Sequence, residues 1–177
     1  GKRVDEILTA AGIDHVVYVV PLEKPDNVRI APAEWETGSI IMHFDPTCDM
    51  FLAVGSGVIN DIGKILSNLT GRKYIIVGTA TSMDGYASAT SSMSMDGLKV
   101  SLNSRCADVI IGDTDVLKNA PLHMLKAGLG DMLAKYVSIC EWRIAHLITG
   151  EYYCEDIAQL VREALKKCAD NAAGLFH

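Results

Sequence analysis

Between residues 50 and 77 the hydrophobic period changes twice, and no other feature constrains the fold of this chain as tightly. Met50-Phe51-Leu52-Ala53-Val54 is continuously apolar, as a strand covered on both faces must be. Gly55-Ser56-Gly57 breaks that run as a tight turn. Val58, Ile62, Ile65, Leu66 and Leu69 then recur at the spacing of one helix face, and Gly71 stops the helix. Tyr74-Ile75-Ile76-Val77 is again all apolar. Strand, crossover helix and strand in that order predict parallel pairing through a right-handed connection.

Around this unit the periods are simpler. Val4, Ile7, Leu8 and Ala11 mark one face of a first helix that Gly12 ends. Residues 15–20 are a β-branched run closed by Pro21 and predict a buried parallel strand. Residues 21–38 read as a loop, with a short helix expected over residues 39–44. Residues 78–96 are rich in Ser, Thr, Gly and Met without a period, which predicts a long loop of the kind that is often functional. Short strands are expected at 98–102 and 109–111. From Thr114 onward the texture is helical, with a long helix stopped by Gly150 and another over residues 154–173. The expected fold class is α/β: a parallel-sheet, Rossmann-like domain over residues 1–115, then the start of an all-helical domain over 116–177.

Composition narrows the function classes. The net charge of −6 and the lack of any basic run argue against a nucleic-acid partner, because phosphate backbones are bound by clustered Lys and Arg. The apolar stretch over residues 50–59 is too short and too rich in glycine to span a membrane, and no secretory signal pattern opens the chain. Five cysteines, an odd number with no CxxC pair, predict neither a disulfide framework nor a zinc–thiolate site and fit a reducing cytoplasm.

Three places could carry chemistry. A glycine turn between a buried strand and a helix lets backbone N–H groups meet a pyrophosphate, and Gly55 and Gly57 supply one. Asn60 stands where a full GxGxxG would have its third glycine, so a turn without ligand remains open. Val58 and Ile65 break a Walker A loop, and Val54 with Val58 break a nucleophile elbow around Ser56. Beyond the second strand, Thr79, Ser82 and Ser88 offer hydroxyls, and Asp84 offers an acceptor for a polyol; alternatively Asp84-Gly85 is only a turn. Third, Asp131 follows Gly128 and Gly130, whose lack of side chains hints at close approach of a ligand. Asp131 is either a metal ligand or half of an exposed i,i+4 pair with Lys135, and it points off the apolar face set by Leu129, Leu133 and Tyr136.

Taken together, these stretches resemble the superfamily of iron-containing alcohol dehydrogenases and dehydroquinate synthases, and within it the sn-glycerol-1-phosphate dehydrogenase branch. Residues 55–64, Gly-Ser-Gly-Val-Ile-Asn-Asp-Ile-Gly-Lys, resemble its GGGxxxDxxK turn, with Ser56 in place of the middle glycine. Thr79-Ala80-Thr81-Ser82-Met83-Asp84-Gly85 with Ser88 resembles its TAxSxDGxxS loop. Asp113-Thr114-Asp115-Val116-Leu117 and Ala127-Gly128-Leu129-Gly130-Asp131 resemble the start of its helical domain. Glu151-Tyr152-Tyr153-Cys154 is similar to its bacterial members.

The resemblance implies that Gly55, Ser56, Gly57, Val58, Ile59, Asn60, Asp61, Thr79, Ser82 and Ser88 contact NAD or NADP. It implies that Asp84 holds the substrate, and that Asp131 binds a divalent metal, zinc or nickel, and approaches the substrate. The implied reaction is reduction of dihydroxyacetone phosphate to sn-glycerol 1-phosphate by a cytoplasmic homo-oligomer, with the metal as Lewis acid. A first strand ahead of Gly1 and two histidine ligands downstream are expected outside these residues, so the chain reads as a piece open at both ends. The alternatives are a glycerol or other polyol dehydrogenase of the same superfamily, or a dinucleotide-binding fragment without catalysis of its own.

Overall fold

A computed structural model describes residues 1–20 and 32–176. The chain divides into two compact units: Gly1–Thr79 with Gly85–Asp115, and Ala80–Asp84 with Val116–His177.

In the first unit the predicted strand–helix–strand forms as β1 (Met50–Gly55), α3 (Gly57–Thr70) and β2 (Lys73–Gly78), preceded by α1 (Lys2–Ala10) and α2 (Glu34–Met42). β1 and β2 run parallel, and β2 pairs in parallel on its other edge with β5 (Val109–Ile111), giving the order β1-β2-β5. Gly71 takes the left-handed conformation at φ 69°, which is why glycine ends α3 there. Ile62, Ile65 and Leu66 of α3 are buried together with Tyr74 and Ile76 of β2, so the helical stripe meets the sheet as its period requires. A Cβ at Gly63 would stand 2.5 Å from the Tyr74 ring, so only glycine lets α3 lie this close to β2.

Three expectations fail here. Residues 15–20 form no strand. Val16, Val17 and Val19 are 64%, 60% and 77% exposed, because β-branched residues favour extended backbone but a strand needs a neighbour's N–H and C=O groups. Among the described residues none pairs with this run. The short helix expected over 39–44 starts five residues earlier, as α2, inside the stretch read as loop. The loop predicted over 21–38 and the closing Pro21 lie outside the described residues as far as residue 31. Finally, the long loop expected over 78–96 is half structured. It holds a 3₁₀ turn (Gly85–Ala87) and β3 (Thr90–Met95), which pairs antiparallel with β4 (Leu98–Asn103). Asp96 (φ 50°) and Gly97 (φ 79°) make a two-residue turn with both φ values positive, the geometry that matches strand twist in a hairpin. Ser91 and Met93 point inward, so a period of two was present, written partly in serine rather than in aliphatic residues.

The second unit is helical, as predicted. Its main elements are α5 (Leu122–Thr149), ended by a left-handed Gly150, and α6 (Glu155–Asp170); the short α4 (Thr114–Leu117) straddles the boundary between the units. Ile139, Ala158 and Leu165 form its core, with Met132, Trp142, Tyr153 and Val161 against them. Trp142 Nε1 donates to the Tyr152 carbonyl at 2.6 Å and His146 Nδ1 lies 2.6 Å from the Glu151 carbonyl, tying the connector to α5. Among the described residues no helix is long and apolar enough to cross a membrane.

Candidate functional site

Two groups of predicted site residues assemble, one in each unit. In the first, Gly55 stands opposite Gly78 in the parallel register, and the Thr79 N–H donates to the Gly55 carbonyl at 3.1 Å. The glycine turn and Thr79 therefore share the carboxyl edge of the sheet, where open α/β sheets bind ligands. Ser56 caps α3 in extended conformation, yet its side chain makes no capping bond. The first N–H groups of α3 are thus left without a side-chain acceptor, the condition under which a helix N-terminus favours an anion. A Cβ at Gly55 would stand 2.6 Å from the side chain of Ile59, so the turn closes only around glycine.

The other residues of this group differ in what they present. Val58, Ile59 and Asp61 are half-buried, and the Asp61 carboxylate lies 3.1 Å from Lys64 Nζ. Asn60 is fully buried. Its Nδ2 donates to the Gly85 carbonyl at 3.2 Å, and its Oδ1 accepts from the Tyr74 hydroxyl at 3.3 Å. The Asn60 side chain thus has no surface to offer a ligand and serves the interior, which explains how it replaces a third glycine. Burial pushes the Tyr74 phenol up, and the Asp61 charge adds to it. Ser88 Oγ lies 2.9 Å from Thr90 Oγ1 and accepts the Thr90 N–H at 3.1 Å, stitching its own turn to β3.

The second group is built on α5 and the segment Ala80–Asp84. The backbone N–H of Asp84 donates to Asp131 Oδ2 at 2.9 Å. Lys135 Nζ lies 2.8 Å from Asp84 Oδ2 and 3.5 Å from Asp131 Oδ1. One ammonium therefore bridges two carboxylates, all three side chains being between 28% and 38% exposed. Partial burial on its own would raise the Asp131 carboxyl, but the Asp84 N–H and the Lys135 charge outweigh it and hold it below the usual range. The Asp84 carboxylate, its closer partner, raises the Lys135 ammonium. Ser82, half-buried, sits in the same segment.

Close approach at Gly128 is real, but the partner is the chain itself. A Cβ there would stand 1.6 Å from the Thr81 carbonyl oxygen, whereas a Cβ at Gly130 would meet nothing within 4 Å. The orientation of α5 also differs from expectation. Gly128, Met132, Ile139 and Trp142 lie on the covered face together with Asp131 and Lys135, while Leu133, Tyr136 and Val137 are 40%, 43% and 61% exposed. A helix apolar on more than one face cannot declare from its period which face its neighbours will cover. Sequence reading reduced Lys135 to a helix-surface partner of Asp131. Its tie to Asp84 has no local signal, because the two are far apart in the chain.

The donor set bears on the metal. Among the described residues no group of three His, Cys, Asp or Glu side chains could hold an ion. Asp131 offers one ligand, and both of its oxygens already have partners. Zinc sites use three or four protein ligands, so these residues do not make a metal centre by themselves.

A family model described as iron-containing alcohol dehydrogenase matches residues 1–121. Glycerol-1-phosphate dehydrogenase (NAD(P)+) of Halalkalibacterium halodurans is 31% identical over 172 residues, covering 97% of this chain and 43% of that protein. The protein of the same name in Thermococcus sibiricus is 37% identical over 124 residues, 70% of this chain and 35% of that one. The crystal structure of a probable glycerol dehydrogenase from Sinorhizobium meliloti superposes with a TM-score of 0.69 at 24% identity, over 80% of this chain and 42% of its own, a likeness of fold. The chain thus spans less than half the length of these relatives.

Proposed function

The chain belongs to the iron-containing alcohol dehydrogenase family, and from that premise we propose that it supplies the dinucleotide-binding domain (residues 1–115) and the beginning of the helical domain (116–177) of an NAD(P)-dependent, metal-dependent reductase that converts dihydroxyacetone phosphate to sn-glycerol 1-phosphate. The observation that carries it is the joining of Asp84 to Asp131 through a 2.9 Å hydrogen bond and a shared lysine. These are the two carboxylates that the resemblance assigns to the substrate.

On this reading NAD(P)H supplies the hydride that reduces the substrate's C2 carbonyl. The uncapped N–H groups after Gly55-Ser56-Gly57 receive the pyrophosphate, and Thr79, Ser82 and Ser88 are further contacts that the resemblance gives the dinucleotide. Asp84, held by Lys135, accepts a hydrogen bond from a substrate hydroxyl and so orients the carbonyl. Metal dependence, through zinc or nickel, belongs to the same proposal, with Asp131 as one ligand and the others from outside the described residues. Assembly as a homo-oligomer and a cytoplasmic setting belong to the same proposal.

One observation favours a second reading. Lys135, the cation beside Asp84, is already neutralised by two carboxylates and so is not free to meet a substrate phosphate. An unphosphorylated polyol would need no such cation. Assay of the protein at its full gene length with dihydroxyacetone and with its phosphate, using NADH and NADPH, decides between them. Higher kcat/KM for the phosphate supports the first reading, and preference for the free ketone overturns it in favour of the second.

A further inference from the structure

Lys64 is a charged residue in the interior of the first unit. It lies inside α3 and is fully buried, which lysine almost never is unless its charge is matched. Burying an ammonium is costly unless every N–H finds an acceptor, as for any unpaired ion. Lys64 has three N–H groups, and three oxygens surround them. They are Asp61 Oδ1 at 3.1 Å, the Gly85 carbonyl at 3.2 Å and the Thr90 carbonyl at 2.5 Å. The match is complete, and two of the three acceptors belong to one short stretch of backbone.

That stretch, residues 85–90, carries Ser88. Within the stretch the Ser88 N–H donates to the Gly85 carbonyl and Ser88 is stitched to Thr90, and from beyond β4 the Ser104 N–H donates to the Ala89 carbonyl at 2.9 Å. Lys64 reaches both of its ends, and Asn60, one turn earlier on α3, adds a second donor to the Gly85 carbonyl. An apolar residue could fill the same volume, but it would leave the Thr90 carbonyl and the Asp61 carboxylate without their buried donor.

We propose that Lys64 is a positioning residue for the dinucleotide: its buried ammonium clasps residues 85–90 to the helix that begins at the Gly55–Gly57 turn, and it neutralises Asp61 beneath the place where a pyrophosphate would bring negative charge. The proposal rests on the dinucleotide reading above. Lys64 touches no ligand; it fixes the loop that does, and it removes a repulsion that would oppose binding.

Lys64→Met keeps length and volume and removes all three donors. Amide hydrogen exchange and NAD(P)H titration are measured on wild type and variant. The Ser88 and Thr90 amides are expected to exchange about tenfold faster or more, the loss of charged hydrogen bonds from one local unit. The Thr79 amide and those of the β1–β2 ladder should keep their wild-type rates. Dinucleotide affinity should fall by about tenfold, the same factor carried to the site. Should Lys64→Met not fold, Lys64→Gln retains an N–H donor, and intermediate protection of Ser88 and Thr90 is expected. If loop and ladder amides accelerate together, Lys64 is only a piece of the general fold and the proposal fails. Selective loosening with unchanged NAD(P)H affinity overturns it as well. If wild type itself does not bind NAD(P)H, the dinucleotide reading falls, while the exchange rates still decide the clasp.

Discussion

The backbone N–H of Asp84 donates to the carboxylate of Asp131 across 2.9 Å, although the two residues stand 47 positions apart in the chain. A backbone donor is not free to turn, so this bond fixes Asp131 relative to the Asp84 backbone. Lys135 then draws the Asp84 side chain to the same place. Two like charges are thereby held close by one opposite charge and one amide dipole.

Gly128 is the steric condition for that bond. The Thr81 carbonyl occupies the space of a Cβ at 1.6 Å, so Gly128→Ala must push residues 80–84 off α5. Alanine's better helix propensity offsets only about 1 kcal/mol, while forcing a group into a filled space costs about 3 kcal/mol. Gly128→Ala is therefore expected to lower stability, and Gly130→Ala, with open space around it, to raise it slightly. Urea titration of both variants checks the pair; equal effects would contradict the geometry.

Lys135→Met should destabilise the second unit modestly, because the groups it joins are about one-third exposed and solvent screens them. A coupling of roughly 0.5–1 kcal/mol between Lys135→Met and Asp84→Asn is expected in a double-mutant cycle. Additive effects would show that the 2.8 Å pair carries no energy of its own.

Gly57→Val tests the pyrophosphate turn. A branched side chain at the first residue of α3 would stand where the phosphates approach, and NAD(P)H affinity is expected to fall about a hundredfold or more. Fluorescence titration of the folded variant against wild type reads this directly, and retained affinity would mean that the turn carries no dinucleotide.

The segment after α1 predicts a pH effect. His15 Nε2 lies 2.8 Å from Asp5 Oδ1 and Nδ1 lies 2.8 Å from the Ile13 carbonyl, so two acceptors ask both ring nitrogens to donate. The Asp5 bond, then the Ile13 bond, raises the His15 pKa above its usual 6.5. A raised folded-state pKa contributes stability that is fully present below the unfolded value and is lost as pH rises through the folded one. Wild type should therefore lose more Tm than His15→Gln between pH 6 and pH 9, and parallel curves would remove His15 from the account.

Much of the fold was legible because it is local. The apolar run of β1, the stripe of α3, the all-apolar β2 and the stops at Gly71 and Gly150 each follow from the preferences of neighbouring residues, and the structure has them within a residue or two. The glycine turn and Asp84 were visible as candidates on the same footing, since strand ends and turn residues announce themselves in sequence. Residues 15–20 show where this stops: their composition favours extended backbone, but a strand exists only where another chain segment supplies its ladder.

The sequence by itself determined the α/β order, the helical texture after Thr114 and the residue types able to bind phosphate and polyol. The tertiary structure decided which of them meet. It turned Asp131 and Lys135 toward the covered side of an α5 that is apolar on several faces, gave Gly128 the Thr81 carbonyl as its neighbour, and buried Lys64 against two carbonyls more than twenty residues away. The reason is physical. Periodicity reports how a residue relates to the next turn of its own helix or strand, whereas a hydrogen bond between distant segments depends on where the whole chain brings its donors and acceptors.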